Sequence, residues 1–296
     1  MRYFYRKSDS NTWHPLAPLT IDGAKVEEMY PVAVDSARNV AIGFIKKNGY
    51  DAIAEVLLDG SGTGKVLMAR DPDAVVPIAS LTKLLTAMVV LDAKLDPNEK
   101  LRITSDDVDT LKHSRSRVRV GTQMSRQSAL EMALMESENR AAAALARTFP
   151  GGEAGFAKAM QTKIRSLGLK HTAISDPTGL SPANTSTATE MAVVTAAAAR
   201  YGEIERITSV KKAKVPVDGK PREIRNTNRL VGTKGWNIRV SKTGYTEEAG
   251  RCLAMRILNG KRPVTVVLLA ALRRRAGVPQ PARADVHADR RARHAG

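Results

Sequence analysis

Apolar and polar positions alternate with two different periods along this chain. From Ser80 onward, Leu81, Leu84, Leu85 and Met88 recur at i, i+3, i+4 and i+7, the spacing of one helix face. Val89, Val90 and Leu91 carry the apolar surface round most of the circumference, so the pattern predicts a buried, central helix that Pro97 ends. Residues 127–149 are Ala-rich and predict helix, closed by Pro150-Gly151-Gly152. Residues 155–167 predict a second helix with Gly168 as its stop, and residues 186–201 a third. Asp176-Pro177-Thr178-Gly179 reads as a turn. Strand-like runs lie on both sides of this helical middle. Residues 54–58 and 65–69 flank Gly60-Ser61-Gly62-Thr63-Gly64, where glycine turns the chain into a hairpin. Residues 214–217, 237–240, 252–258 and 263–270 read as later strands. Together these predict an α+β fold: an antiparallel sheet with an inserted all-helical region.

Composition narrows the classes. The chain has 296 residues, 43% hydrophobic and 26% charged, which is ordinary for a globular protein with room for a core. No run approaches the roughly 20 apolar residues of a transmembrane segment. One cysteine excludes an internal disulfide framework, and five scattered histidines offer no metal-ligand spacing, so no metal is expected. The net charge of +17 is unevenly spread: +5 in residues 271–296, +2 in residues 1–50 and +10 between them. A basic surface favours anionic partners without choosing among them. Aromatics at 4% give no stacking platform, so nucleic acid is not an expected partner. The glycine run at 60–64 lacks the Lys-Ser/Thr pair of a phosphate loop, since Lys65 is followed by Val66. Three parts follow: an irregular N-terminal segment over 1–50, one folded domain over 51–270, and an Ala/Arg-rich tail over 271–296.

Three short motifs carry chemistry. Ser80-Leu81-Thr82-Lys83 opens the apolar helix, placing Ser80 and Lys83 on one face. A serine hydroxyl needs a base, and a lysine kept neutral by burial supplies one. The bland alternative is that Ser80 only caps the helix. A second Ser-x-x-Lys, Ser209-Val210-Lys211-Lys212, lies in a polar stretch with no apolar helix behind it. Ser137-Glu138-Asn139 sits in or beside the Ala-rich helical segment and taken alone reads as a loop. Lys242-Thr243-Gly244 follows a strand-like run, where glycine admits close approach of a substrate backbone and the lysine and hydroxyl suit a carboxylate. Taken alone, Lys242 would be an edge-strand guard against aggregation.

Order and context of the three motifs resemble the low-molecular-mass penicillin-binding proteins, the D-alanyl-D-alanine carboxypeptidase/endopeptidase family. The resemblance covers about residues 54–270 and includes the wording of 176–181, 226–230 and 249–253. Residues 109–114 and Tyr245 are most similar to the penicillin-binding protein 7 branch, the murein DD-endopeptidases. The resemblance implies a β-lactamase/transpeptidase-like fold, an antiparallel sheet flanked by helices with an inserted all-helical region, and a serine DD-peptidase that hydrolyses peptidoglycan peptides through a Ser80 acyl-enzyme. It implies Lys83 as general base, and Ser137 as proton relay beside Lys242. It assigns Asn139, Thr243, Gly244 and Tyr245 to substrate binding, with an oxyanion hole from the backbone N–H groups of Ser80 and Tyr245. Lys242 is expected to keep Lys83 neutral. No cofactor is implied; β-lactam antibiotics are expected as covalent inhibitors, and the periplasm or cell envelope as the location.

The two ends depart from that pattern. No secretory signal is visible in the first 50 residues, and the tail does not read as the closing helix that the family would place on the sheet. Two rivals remain. A β-lactamase would need a Glu-positioned water between the second and third motifs, where Glu153 and Glu190 instead read as helix surface or first turn. A non-catalytic peptidoglycan-peptide binding protein would not need all three motifs intact. Cys252 reads as a small core residue, His113 and His171 as surface positions, and Arg115, Arg117 and Arg119 as one solvated face.

Overall fold

The computed structural model describes residues 66–259 and 262–271, the strand 54–59, and short strand pairs within residues 4–45. In those pairs, β1 (Phe4–Arg6) meets β2 (Trp13–Pro15), β3 (Thr20–Ile21) meets β4 (Ala24–Lys25), and β5 (Met29–Tyr30) meets β6 (Phe44–Ile45). The glycine run at 60–64 and the tail from residue 272 lie outside the described residues.

A five-stranded antiparallel sheet forms the main layer. Its strands are β7 (Ala54–Asp59), β8 (Val66–Arg70), β15 (Ile238–Thr246), β16 (Gly250–Asn259) and β17 (Arg262–Ala271), in the order β15-β16-β17-β7-β8. Side chains alternate across it as the strand period requires. Cys252, Ala254, Val267 and Leu269 join the main core, while Met255, Ile257, Val264 and Val266 pack on the other face with Val231 and Trp236. Burial raises the Cys252 thiol to a pKa of about 11, which makes it an inert core group.

The helical region contains α1 (Thr82–Asp92), α2 (Arg126–Met135), α3 (Asn139–Arg147), α4 (Gly152–Ser166), α5 (Ala188–Ala198) and α6 (Gly202–Thr208). Helix α1 is buried at every position from Thr82 to Val90 and packs against α2, α3, α4 and α5. The predicted central helix is therefore present, with its core in Leu81, Leu84, Leu85 and Met88. Helix α5 lies on β7, β16 and β17 and joins the two regions.

Three differences from the sequence pattern have local causes. The predicted helix over 127–149 is two helices, broken at Ser137, whose φ of 63° is left-handed. Glu138 then caps α3, accepting from Arg140 N at 3.2 Å. A second, four-stranded sheet orders β10 (Lys100–Arg102), β11 (Gln123–Ser125), β13 (Lys212–Val217) and β14 (Lys220–Arg225). Apart from the predicted 214–217, its strands are short or rich in charged residues, so they lack an apolar signal. Strands β9 (Val76–Pro77) and β12 (Thr185–Ser186) pair beside the start of α1.

Candidate active site

The Ser-x-x-Lys motif straddles a 3-10 turn over Ala79–Leu81 and the first residues of α1. Ala79 has φ 46°, a left-handed conformation costly for a residue with a Cβ. The surroundings hold it there. Thr82 Oγ1 donates to Ala79 O at 2.8 Å and accepts from Asn184 Nδ2 at 3.1 Å. Ile78 N donates to Asn184 O at 3.0 Å. Asn184 is fully buried, and its Oδ1 accepts from Ser175 N, Ser175 Oγ and Asp176 N.

The turn predicted at 176–179 supports the other side of Ser80. Asp176 Oδ1 accepts from Thr178 N at 2.7 Å and Gly179 N at 2.9 Å, and Oδ2 from Ser181 N at 3.0 Å. Gly179, with φ 82°, lies so close that a Cβ there would collide with Ala79 O. Gly244 of β15 approaches from the sheet: its Cβ would stand 3.1 Å from Ser80 N, Ala79 Cβ and Ile78 O. Glycine at both positions is thus a matter of close backbone approach to Ser80.

Lys83 is buried, and its Nζ has three partners: Ser80 Oγ at 3.0 Å, Asn139 Oδ1 at 2.7 Å and Thr178 O at 2.6 Å. Burial lowers its pKa to about 7, although the carboxylates of Asp176 and Glu138 pull it upward. Lys242 is equally buried and donates to Ser137 Oγ and Thr243 O, both at 2.9 Å. Its pKa is well below the ordinary lysine value, first from burial and then from the charge of Lys83. Burial, and not the expected charge of Lys242, is what lowers Lys83; the coupling between the two lysines is felt at Lys242.

The predicted residues fall into two hydrogen-bonded groups, Ser80–Lys83–Asn139 and Ser137–Lys242, joined through the short stretch from Ser137 to Asn139. Thr243 Oγ1 donates to Thr227 Oγ1 at 2.6 Å on the outer side. Tyr245 is 65% exposed and faces Arg251 across the strand pair, 5.8 Å from ring centroid to guanidinium carbon. The decoy motif is dispersed: Ser209 ends α6, and exposed Lys212 begins β13 opposite Arg225 and pairs with Glu223.

Sequence reading gave no role to Ser114, Thr178, Asn184 or Thr227. Ser114 Oγ accepts from Asn139 Nδ2 at 3.1 Å and so orients the amide that holds Lys83. Thr178 contributes only its backbone carbonyl, which no side-chain pattern announces. Next to Asn139 a cleft of about 280 Å³ runs between residues 106–111, α3, α4 and the 174–180 turn. Glu190 is occupied elsewhere: its carboxylate accepts from Lys170 N, His171 N and Thr172 Oγ1. Among the described residues, no group of three or more His, Cys, Asp or Glu is placed to hold a metal ion. No helix among them is long and apolar enough to cross a membrane.

The family model described as D-alanyl-D-alanine carboxypeptidase matches residues 45–272. A D-alanyl-D-alanine endopeptidase of Pseudomonas aeruginosa is 46% identical over 222 residues, 74% of this chain and 72% of the relative. The D-alanyl-D-alanine endopeptidase of Escherichia coli is 43% identical over 71% of this chain and 68% of its own length. Among solved structures, the Streptomyces K15 DD-transpeptidase superposes with a TM-score of 0.68 at 26% identity, covering 77% of this chain and 93% of that one. A D-alanyl-D-alanine carboxypeptidase from Mycobacterium tuberculosis gives 0.68 at 28% identity, covering 75% and 84%.

Proposed function

This chain belongs to the D-alanyl-D-alanine carboxypeptidase family, and we infer that it is a serine-type D-Ala-D-Ala peptidase acting on peptidoglycan peptides, with Ser80 as its nucleophile. The observation that carries this reading is the buried Lys83 amine against Ser80 Oγ. A neutral amine has two N–H groups and one lone pair. Its two shorter contacts, to Thr178 O and Asn139 Oδ1, take the N–H groups and leave the lone pair for the Ser80 hydroxyl. A pKa near 7 suits that base, because the neutral form is then abundant at working pH.

The reaction follows from these positions. Lys83 takes the proton as Ser80 Oγ attacks the carbonyl carbon of the scissile peptide bond. In this reading the oxyanion is met by the backbone N–H groups of Ser80 and Tyr245, and the close approach of Gly244 to Ser80 N supports it. Ser137, held by Lys242, relays the proton taken up by Lys83 to the leaving amine, giving up its own and regaining one, so Lys83 is neutral again. Thr243 and Lys242 receive a substrate carboxylate, and Asn139 hydrogen-bonds the peptide. Water then hydrolyses the Ser80 ester, with Lys83 again taking and returning the proton. A β-lactam ring is opened by the same attack and leaves Ser80 acylated.

The relatives at 46% and 43% identity are named endopeptidases, which supports cleavage of cross-links over trimming of a terminal D-alanine. The substrate class places the site of action in the cell envelope, on the periplasmic side. Incubation with cross-linked muropeptide dimers tests this. Conversion to monomers without free D-alanine is expected; release of D-alanine alone would make the protein a carboxypeptidase, and neither product would contradict peptidase action.

A further inference from the structure

We propose that Lys112 and Glu248 form a latch that positions Asn139, and through it Lys83, for acylation of Ser80. This rests on the reading of Ser80 as the nucleophile.

Strand β15 is tied to the helical region at two points. One is Lys242, which reaches Ser137. Further along the same strand, past Thr243, Gly244 and Tyr245, the turn after Thr246 presents Glu248, whose Oε1 pairs with Lys112 Nζ. From Lys242 to Thr246 is four residues, about 13 Å of strand. The two ties bracket the edge assigned to the substrate.

Lys112 belongs to a loop tied together by one carboxylate. Asp109 Oδ1 accepts from Leu111 N at 2.8 Å and Lys112 N at 3.0 Å, and Oδ2 from Ser114 N at 2.8 Å. His113 between them has φ 50° and is fixed by those bonds on either side. Whatever holds Lys112 therefore holds Ser114. Ser114 Oγ accepts from Asn139 Nδ2 at 3.1 Å, Asn139 Oδ1 accepts from Lys83 Nζ at 2.7 Å, and Lys83 reaches Ser80 Oγ at 3.0 Å. A continuous polar chain thus runs from the turn of the sheet to the nucleophile. The outer pair is half-open to water, with side-chain exposures of 27% and 39%. Such pairs are weak, so removing one partner should loosen the chain without unfolding the protein. Lys112 and Glu248 are positioning residues, since neither touches the reacting atoms.

The test measures acylation by a fluorescent penicillin, as a rate against pH, in the full chain. The variants are Lys112→Met, Glu248→Gln, the double variant and the charge swap Lys112→Glu with Glu248→Lys. Each single variant is expected to acylate about fivefold more slowly, the double no more slowly than either single, and the swap to recover most of the rate. The pH midpoint should rise in the single variants, because a loosened Asn139 lets water reach Lys83, while Tm stays within about 2 °C. Wild-type rate and midpoint in the single variants would overturn the latch. So would failure of the swap to recover, or a large fall in Tm. Absence of any adduct in the unaltered protein would instead overturn the reading of Ser80, and the latch with it.

Discussion

Lys83 Nζ lies 3.0 Å from Ser80 Oγ, and its other two partners, Asn139 Oδ1 and Thr178 O, can only accept, so the lone pair of the neutral amine is left for the serine hydroxyl. Acylation should depend on pH accordingly. With the Lys83 pKa near 7, the rate is expected to rise through that pH and flatten above it. A stopped-flow penicillin titration from pH 5 to 9 checks this; a flat profile would remove Lys83 as base. Lys83→Met should slow acylation by about a thousandfold.

The same burial costs stability. Below about pH 7 Lys83 is protonated in folded and unfolded chain alike, and the desolvation cost is fully present. Between about 7 and 10.5 the unfolded chain holds that proton more tightly, so stability rises with pH. Lys83→Met is therefore expected to be more stable than the parent at pH 6, by at most about 5 kcal/mol, with the difference shrinking towards pH 10. Urea denaturation at both pH values measures it. An increment independent of pH would contradict the assignment.

Gly179→Ala places a methyl group against Ala79 O at a φ of 82°. The nucleophile's turn would have to shift. We expect a loss of about 2 kcal/mol or more and much slower labelling of Ser80. Gly168→Ala is the control, since its φ of 69° is similar but nothing lies within 4 Å. Equal labelling in the two variants would show that strain, not the approach to Ser80, is what matters.

Asp107 is almost wholly buried and accepts from both Arg147 Nε and Nη2, at 2.9 and 2.8 Å. Arg147→Gln leaves that carboxylate with Thr104 N at 2.8 Å but without its cationic partner and should cost about 2–3 kcal/mol, read as a lower urea midpoint. Arg225→Gln, on an exposed pair with Glu223, should cost almost nothing.

Apolar period made α1 and the outer strands of the chain legible, because Leu81, Leu84, Leu85 and Met88 face a continuous core. Strand β14 was not, since Lys220, Arg222, Glu223 and Arg225 surround a single buried Ile224. The cluster was legible where side chains make it, in the hydrogen-bonded pairs Ser80–Lys83 and Ser137–Lys242. It was opaque where backbone or support does: Thr178 acts through a carbonyl, and Ser114 through a contact 25 positions from Asn139. The break at Ser137 carries no Gly or Pro, so an Ala-rich stretch hid two helices as one.

The central claim is that Ser80 is acylated with Lys83 as its base. Incubation with a fluorescent penicillin, followed by proteolysis and mass spectrometry, tests it most directly. One adduct on the peptide containing Ser80 is predicted, lost in Ser80→Ala and formed far more slowly in Lys83→Met. Labelling that persists in Ser80→Ala would contradict the account.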